Sequence, residues 1–349
     1  MCGSFKTIKK GVRNGINRFL CKLCRQRFSV NHQSIPPVLW TSYIDGLPFR
    51  KLGYEIDLSP SQVYERVSKE MESLPLNTDI SKDVCDSLKW SGILNLDGKY
   101  LKVLEIKETN KKSIPFLYGI DFLTHDIPLG ILVPAENETA FLQFFQTLKD
   151  MGYPLRVVIC DQVSSLKPAL KQVFPEAMVQ LCHTHYFENI RKALHIRTDP
   201  TYHHFFNSVL KHIFRLPKTH EERVIGFAHV YHVHAKGNLL LEAILADIEE
   251  HEEELFLYQT IDNCPATNNM IESSNSHLNG RLETIKGFQT FHSARVFLNA
   301  WMIRRRTKPF TDCDKPFKHL NGRCSLKEVL KDESAWPSIP GIQAPISER

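Results

Sequence analysis

The 349-residue sequence contains no apolar run near the ~20 residues that a membrane-spanning helix requires. Its N-terminus also lacks the charged-then-apolar pattern of a secretory signal. These absences exclude a membrane partner and point to the cytoplasm, and to the nucleoid if the source is prokaryotic. There is no even set of cysteines to suggest a disulfide framework. Nine cysteines without a signal read as reduced thiols. Acidic residues are missing altogether from residues 1–44, where Lys6, Lys9, Lys10, Arg13, Arg18, Lys22, Arg25 and Arg27 supply eight positive charges. The whole chain is only +5, so the remainder is net negative by three. A basic segment this concentrated is the footprint of double-stranded DNA or another nucleic acid, because neutralised phosphates release counterions. No small-molecule substrate is expected.

The basic segment carries ordered cysteines. Cys21-Lys22-Leu23-Cys24 is a C-x-x-C knuckle, and Cys2 precedes Cys21 by a gap of 18 residues, usual for a zinc ribbon. Residues 1–32 are therefore expected to form a truncated, zinc-ribbon-like segment. Cys2, Cys21 and Cys24 are its candidate Zn²⁺ ligands, and no fourth cysteine lies ahead of them. Lys9, Lys10, Arg13, Arg18, Arg25 and Arg27 are its candidate DNA contacts. Residues 40–78 follow as a helix-turn-helix. Leu47, Phe49, Leu52 and Ile56 mark one helix, and Ser59-Pro60-Ser61-Gln62 is a capping box with proline at the first helical position. Val63, Val67 and Met71 would pack inward, leaving Tyr64, Arg66 and Lys69 for a DNA groove.

From about residue 91 the hydrophobic period becomes that of strands. Ile93–Lys107, Pro115–Thr124 and Ile127–Pro134 read as an antiparallel meander. Then come a helix over Glu138–Met151, a strand over Leu155–Cys160, a helix over Ser165–Phe174 interrupted by Pro168, and a strand over Met178–Leu181. Three antiparallel strands followed by alternating helix and parallel strand is the ribonuclease H order. The expected fold class is α/β, with a ribonuclease H-like core built on a mixed five-stranded sheet. The core would comprise residues 88–182 and 263–306, with a helical insertion at 183–262. A proline-rich extension at 307–349 would end, from about 334, in a disordered tail.

Three acidic residues sit where a carboxylate is useful. Asp97 lies in an extended apolar run, Asp161 ends another, and Glu272 falls in the first turns of a helix whose residues Asn268, Asn269, Ser276 and Asn279 share its polar face. Such a trio suits a pair of hard divalent cations. Each also has a plainer reading. Asp97-Gly98 is a common turn dipeptide, an Asp after a strand often caps the next helix, and a helical Glu is usually solvated. Asp121 rivals Asp97 for the first position, and Glu136 or Glu138 rivals Glu272 for the third. His183, His185, His203 and His204 show no clean zinc spacing and are expected in core or surface roles. Arg304, Arg305 and Arg306 end a helix, which serves its macrodipole as well as it serves phosphate. Arg304 and Arg305 are kept as candidate DNA contacts.

Four motifs in order carry a resemblance: Leu96-Asp97-Gly98-Lys99-Tyr100, Cys160-Asp161, Cys182-His183-Thr184-His185, and Asn268-Asn269-Met270-Ile271-Glu272-Ser273. Over about residues 88–306 the chain resembles the Mutator-like (MULE-type) DDE transposases and their insertion-sequence relatives, with the ribbon and helix-turn-helix consistent in front. The resemblance implies a DDE triad of Asp97, Asp161 and Glu272 holding two Mg²⁺ (or Mn²⁺) ions per active site. It implies DNA cleavage at transposon ends and strand transfer into target DNA, by a cut-and-paste or copy route. It places a C-x-x-H motif on Cys182 and His185, which could be a metal pair, a proton relay or, as the leading choice, a brace for the insertion. A homo-oligomer on DNA is implied because two ends must be synapsed. Two other classes stay open: a transposase-derived DNA-binding protein with lost activity, and a ribonuclease H-type nuclease without strand transfer.

Overall fold

The computed structural model describes residues 6–13, 16–30, 38–104 and 113–344. The chain divides into two compact units, residues 1–73 and 74–349. Among the described residues no helix is long and apolar enough to cross a membrane.

In the first unit, β1 (Thr7–Arg13), β2 (Ile16–Cys21) and β3 (Arg27–Val30) form an antiparallel sheet in that order. Phe19 pairs with Phe28 across β2 and β3, their rings 5.8 Å apart. The Cys21–Cys24 knuckle is the turn between those two strands, with Cys21 buried and Cys24 exposed. The third expected zinc ligand, Cys2, lies outside the described residues. Among the described residues Cys21 and Cys24 belong to no cluster of three ligand side chains. Helices α1 (Trp40–Ile44), α2 (Phe49–Ile56) and α3 (Pro60–Glu72) follow. Ser59 and Gln62 form the capping box reciprocally at the start of α3. Val63 and Val67 are fully buried on the stripe that the sequence period selects.

The second unit opens with α4 (Asn77–Val84) and is built on one sheet. Its strands are β4 (Ile93–Lys102), β5 (Ser113–Asp121), β6 (Leu129–Leu132), β7 (Val157–Cys160) and β8 (Met178–Leu181). The strand order is β6-β5-β4-β7-β8, with β4 antiparallel to β5 and parallel to β7. This is the ribonuclease H topology, with the first strand of the unit at the centre. Inner strands are covered on both faces, which favours long apolar runs. Accordingly β7 is wholly buried, and so is β5 after its first residue. Gly92 has φ +75°, and a Cβ there would stand 2.1 Å from Pro154 O, so only glycine admits the crossing of the two chains at the start of β4.

Helix α5 (Glu138–Asp150) buries Phe141, Phe144, Phe145 and Leu148. Helix α6 (Leu166–Val173) begins just before Pro168, which therefore sits in the first turn and does not interrupt the helix. First-turn N–H groups have no intrahelical acceptor, so proline costs little there.

The insertion comprises α7 (His183–Ala193), α8 (His203–Val209), α9 (His220–Val230), α10 (Leu239–Glu250) and α11 (Glu252–Leu255), with π-helical turns at Leu210–Arg215 and Tyr231–Ala235. It has its own core, including Tyr186, Phe205, Phe206, Ile213, Phe214, Val230, Leu245 and Ile248. The chain then returns through α12 (Asn269–Ile285) and α13 (Phe291–Thr307).

In the C-terminal extension α14 (Ser325–Val329) buries Leu326 and Val329, and Cys85 bridges to Leu330. Within the stretch from about 334 expected to be disordered, Ile339 is buried and bridges to Ile342, while Gln343 and Ala344 are exposed.

Candidate active site

The register of the sheet brings two carboxylates together. Asn95 on β4 lies beside Ile159 on β7 in the parallel pair. Asp97 and Asp161 each follow two residues later, so they emerge side by side on the same face, although 64 positions separate them. The two side chains line one cleft of about 160 Å³, with Gly98, Tyr100, Glu136 and Cys160 also in its wall. Burial first, and then the charge of Asp161, push the Asp97 carboxyl above the usual carboxylate range.

Helix α12 delivers the third carboxylate. Asn268, wholly buried at its N-cap, donates through Nδ2 to Leu96 O at 3.0 Å, pinning the helix start to β4. Glu272 then lies in the first turn, where the positive end of the helix dipole favours a carboxylate. One turn on, Asn275 Nδ2 donates to Asp97 Oδ2 at 2.5 Å, and Asn275 Oδ1 accepts from Tyr118 OH at 2.8 Å. The sequence reading passed over Asn275 and Tyr118. Asn275 stands at i+3 from Glu272, the same helix face, and that spacing was the available clue.

His185 joins the second and third carboxylates. Its Nδ1 is 2.5 Å from Asp161 Oδ1 and its Nε2 is 3.6 Å from Glu272 Oε1. Cys182, at the N-cap of α7, accepts from Asn268 N at 3.2 Å, tying the start of α7 to the start of α12. Contact with Asp161, and then with Cys182, pushes the His185 imidazole up to about 10. The C-x-x-H motif thus spans β7, α7 and α12.

Asp161 Oδ1 and Glu272 Oε1 are buried, and apart from the His185 ring they meet no donor. Crowded oxygen acceptors with so few donors fit a hard divalent cation, so the residues present suit Mg²⁺ or Mn²⁺. Cys182, His185 and Asp161 also bring potential ligand atoms within 4.8 Å of one another, a softer donor set on one flank of the same cleft.

The rival Asp121 is not at this cleft. It is wholly buried at the end of β5, with Oδ2 accepting from Ser91 N, Ser91 Oγ and Tyr153 OH, each at 2.8 Å, and Oδ1 accepting from Thr124 N and Oγ1. Its acceptor positions are taken by the fold. His183 is likewise a core residue, set among Phe187, Phe214, Phe256 and Tyr258 with Nε2 against Leu255 O. His203 meets Ile196 O, and His203 and His204 are exposed.

Of the candidate DNA contacts, Lys9, Lys10, Arg18, Arg25, Arg27 and Lys69 are exposed, and Arg13 lies on β1. Arg66 Nε is held by Glu70 Oε1 at 2.9 Å, while Glu70 Oε2 accepts from Leu39 N and Trp40 N at the head of α1. Arg304 and Arg305 are half-buried, and burial lowers the Arg305 guanidinium below its usual value.

A family model described as "Transposase, Mutator family" matches residues 41–304. A transposase for insertion sequence element IS256 in transposon Tn4001 from Staphylococcus aureus is 23% identical over 293 residues, covering 80% of this chain and 72% of that protein. The transposase for insertion sequence element ISRM5 from Rhizobium meliloti is 24% identical over 175 residues, covering 47% of this chain and 42% of its own length. Among solved structures, the Drosophila P element transposase strand transfer complex aligns with 82% of this chain and 95% of that chain, at 9% identity and a TM-score of 0.36.

Proposed function

The chain belongs to the Mutator family of transposases, and from that premise we propose that it cleaves DNA at transposon ends and joins those ends to target DNA by a metal-dependent DDE mechanism. One observation carries the reading. Asp97 and Asp161, neighbours by strand register, share one cleft, and Glu272, from a third part of the sequence, is linked to Asp161 through His185. Asp97, Asp161 and Glu272 would hold two Mg²⁺ or Mn²⁺ ions. When bound, these ions supply Lewis-acid activation of an attacking water or 3′-hydroxyl and stabilise the leaving oxygen.

The protein's own residues do the positioning. Asn275 fixes one oxygen of Asp97, and Gly98 N donates to the other at 2.8 Å, so the carboxylate plane is set before substrate arrives. His185 spans Asp161 and Glu272 and holds them together, and Cys182 links that unit to the N-cap of α12. This makes the C-x-x-H motif a brace for the active site, and for the insertion that begins there. No covalent protein–DNA bond is needed, so no Ser or Tyr nucleophile is assigned.

DNA is the partner on this reading. The exposed lysines and arginines of β1–β3 would contact backbone phosphates, with Lys69 on α3 beside a groove. Joining two ends calls for at least two copies on DNA, acting in the cytoplasm or on the nucleoid. Purified protein incubated with Mg²⁺ or Mn²⁺ and DNA bearing the element's own ends tests the proposal. Cleaved and joined products are expected from the wild type and none from Asp97→Asn, Asp161→Asn or Glu272→Gln, with DNA binding retained in all three. Binding without cleavage by the wild type would mark a regulatory derivative, and cleavage without joining a nuclease.

A further inference from the structure

We propose that Glu136 is a fourth metal-binding carboxylate of the catalytic cleft, held in place by the Tyr100 hydroxyl and admitted by the bare backbone of Gly98. The inference rests on the two-cation reading above and assigns one more ligand to it.

Glu136 lies between β6 and α5, immediately ahead of Asn137, which caps α5 by accepting from Ala140 N at 3.0 Å. That cap fixes the backbone from which the Glu136 side chain springs. The side chain enters the same cleft as Asp97 and Asp161. Tyr100 OH donates to Glu136 Oε2 at 2.9 Å. A Cβ at position 98 would stand 3.0 Å from Glu136 Oε1 and 3.1 Å from Oε2, so glycine there leaves the carboxylate its room. The α5 cap and two positions on β4 therefore agree on where this carboxylate sits.

Strand alternation explains why it adds something that Glu272 does not. Gly98 and Tyr100 are out of phase with Asp97 on β4 and present the opposite face of the sheet. Glu136 therefore approaches from the α5 side, whereas Asn275 and Glu272 approach from the α12 side. A solvated glutamate in a loop would keep clear of two other carboxylates. This one is held in the cleft they line by a phenol, an arrangement that becomes favourable when cations share that cleft.

The test is Mn²⁺ binding to the full chain by isothermal titration calorimetry, with thermal melts as a fold control, for wild type, Glu136→Gln, Glu136→Asp, Tyr100→Phe and Glu272→Gln. Glu136→Gln is expected to weaken Mn²⁺ binding about 10- to 100-fold without changing the melt, and to raise the Mg²⁺ concentration needed for half-maximal cleavage by a similar factor. Tyr100→Phe should move both in the same direction by a smaller factor. Should Glu136→Gln fail to fold, Glu136→Asp carries the test: it keeps the charge but withdraws it from the cleft, and should weaken Mn²⁺ binding as well. Wild-type Mn²⁺ affinity in well-folded Glu136→Gln, or in Glu136→Asp if that is the variant that folds, would overturn the proposal, and if Glu272→Gln then loses affinity the two-cation reading stands without it. If the wild type binds no Mn²⁺, both readings fall together.

Discussion

Asn275 stands three positions past Glu272 on α12 and donates to Asp97 on β4, so one helix face both supplies the third carboxylate and orients the first. Asp97 is buried beside Asp161, and both conditions disfavour its charge. The Asn275 amide is one of the two hydrogen bonds that favour it. Asn275→Ala should therefore lower Mg²⁺-dependent cleavage about 10- to 100-fold. It should also move the acid limb of the pH–rate profile to higher pH, because Asp97 must be ionised to hold a cation and has lost a donor that stabilised its anion. Single-turnover cleavage across pH, with melts for comparison, checks both effects. A wild-type profile would mean that the amide contributes nothing to the site.

The sheet was legible because its strands carry apolar runs separated by turn residues, and because β4 and β7 each end their buried run just before an acid. Val63, Val67 and Met71 were legible for the same reason on a helix: one period, one buried face. What sequence could not supply was the hydrogen-bond geometry that separates Asp97 from Asp121. Both are aspartates in apolar strands, and only the five donors around Asp121 mark it as occupied. Arg306 was hidden in the same way. It continues an arginine run that reads as a helix end, yet its side chain is wholly buried.

Asp121 should behave as a stability residue. Asn in its place would turn one acceptor oxygen into a donor facing donors, at a cost of about 1–3 kcal/mol. Asp121→Asn is expected to melt earlier than wild type in denaturant while cleaving normally at a permissive temperature. Asp97→Asn should do the reverse, losing cleavage with little loss of stability. If Asp121→Asn abolished cleavage in folded protein, the first carboxylate of the triad would have to be reassigned.

Arg306 binds four elements into one buried network. It donates to Asp126 Oδ1 at 2.9 Å and Oδ2 at 2.8 Å, to Asn77 Oδ1 at 2.9 Å and to Ser81 Oγ at 3.0 Å, while Ser325 Oγ and Trp90 Nε1 also donate to Asp126. Arg306→Met would strand the Asp126 carboxylate in the interior, costing about 3–5 kcal/mol. Asp126→Asn on that background removes the stranded charge and should recover part of the loss. Urea titrations of the two single variants and the double variant measure the coupling. Additive losses would show that the pair does not act as a unit.

His125 should make the second unit acid-sensitive. Its imidazole packs against Phe317, rings 4.4 Å apart, and against Phe310, and burial followed by the charges of Arg305 and His319 lowers it to about 4. The ordinary value is about 6.5. A histidine depressed on folding takes up its proton more readily in the unfolded chain. Its contribution to stability is therefore complete above about pH 6.5 and is lost as pH falls toward about 4. Between pH 7 and pH 5 the loss should be roughly 1–2 kcal/mol, since the ring keeps some contact with solvent. His125 also has φ +56°, a conformation asparagine adopts with little strain. His125→Asn removes the titrating group while respecting the backbone, so its stability should fall less than that of wild type between pH 7 and pH 5. Equal acid losses in the two proteins, followed by chemical denaturation at each pH, would assign the sensitivity to other groups.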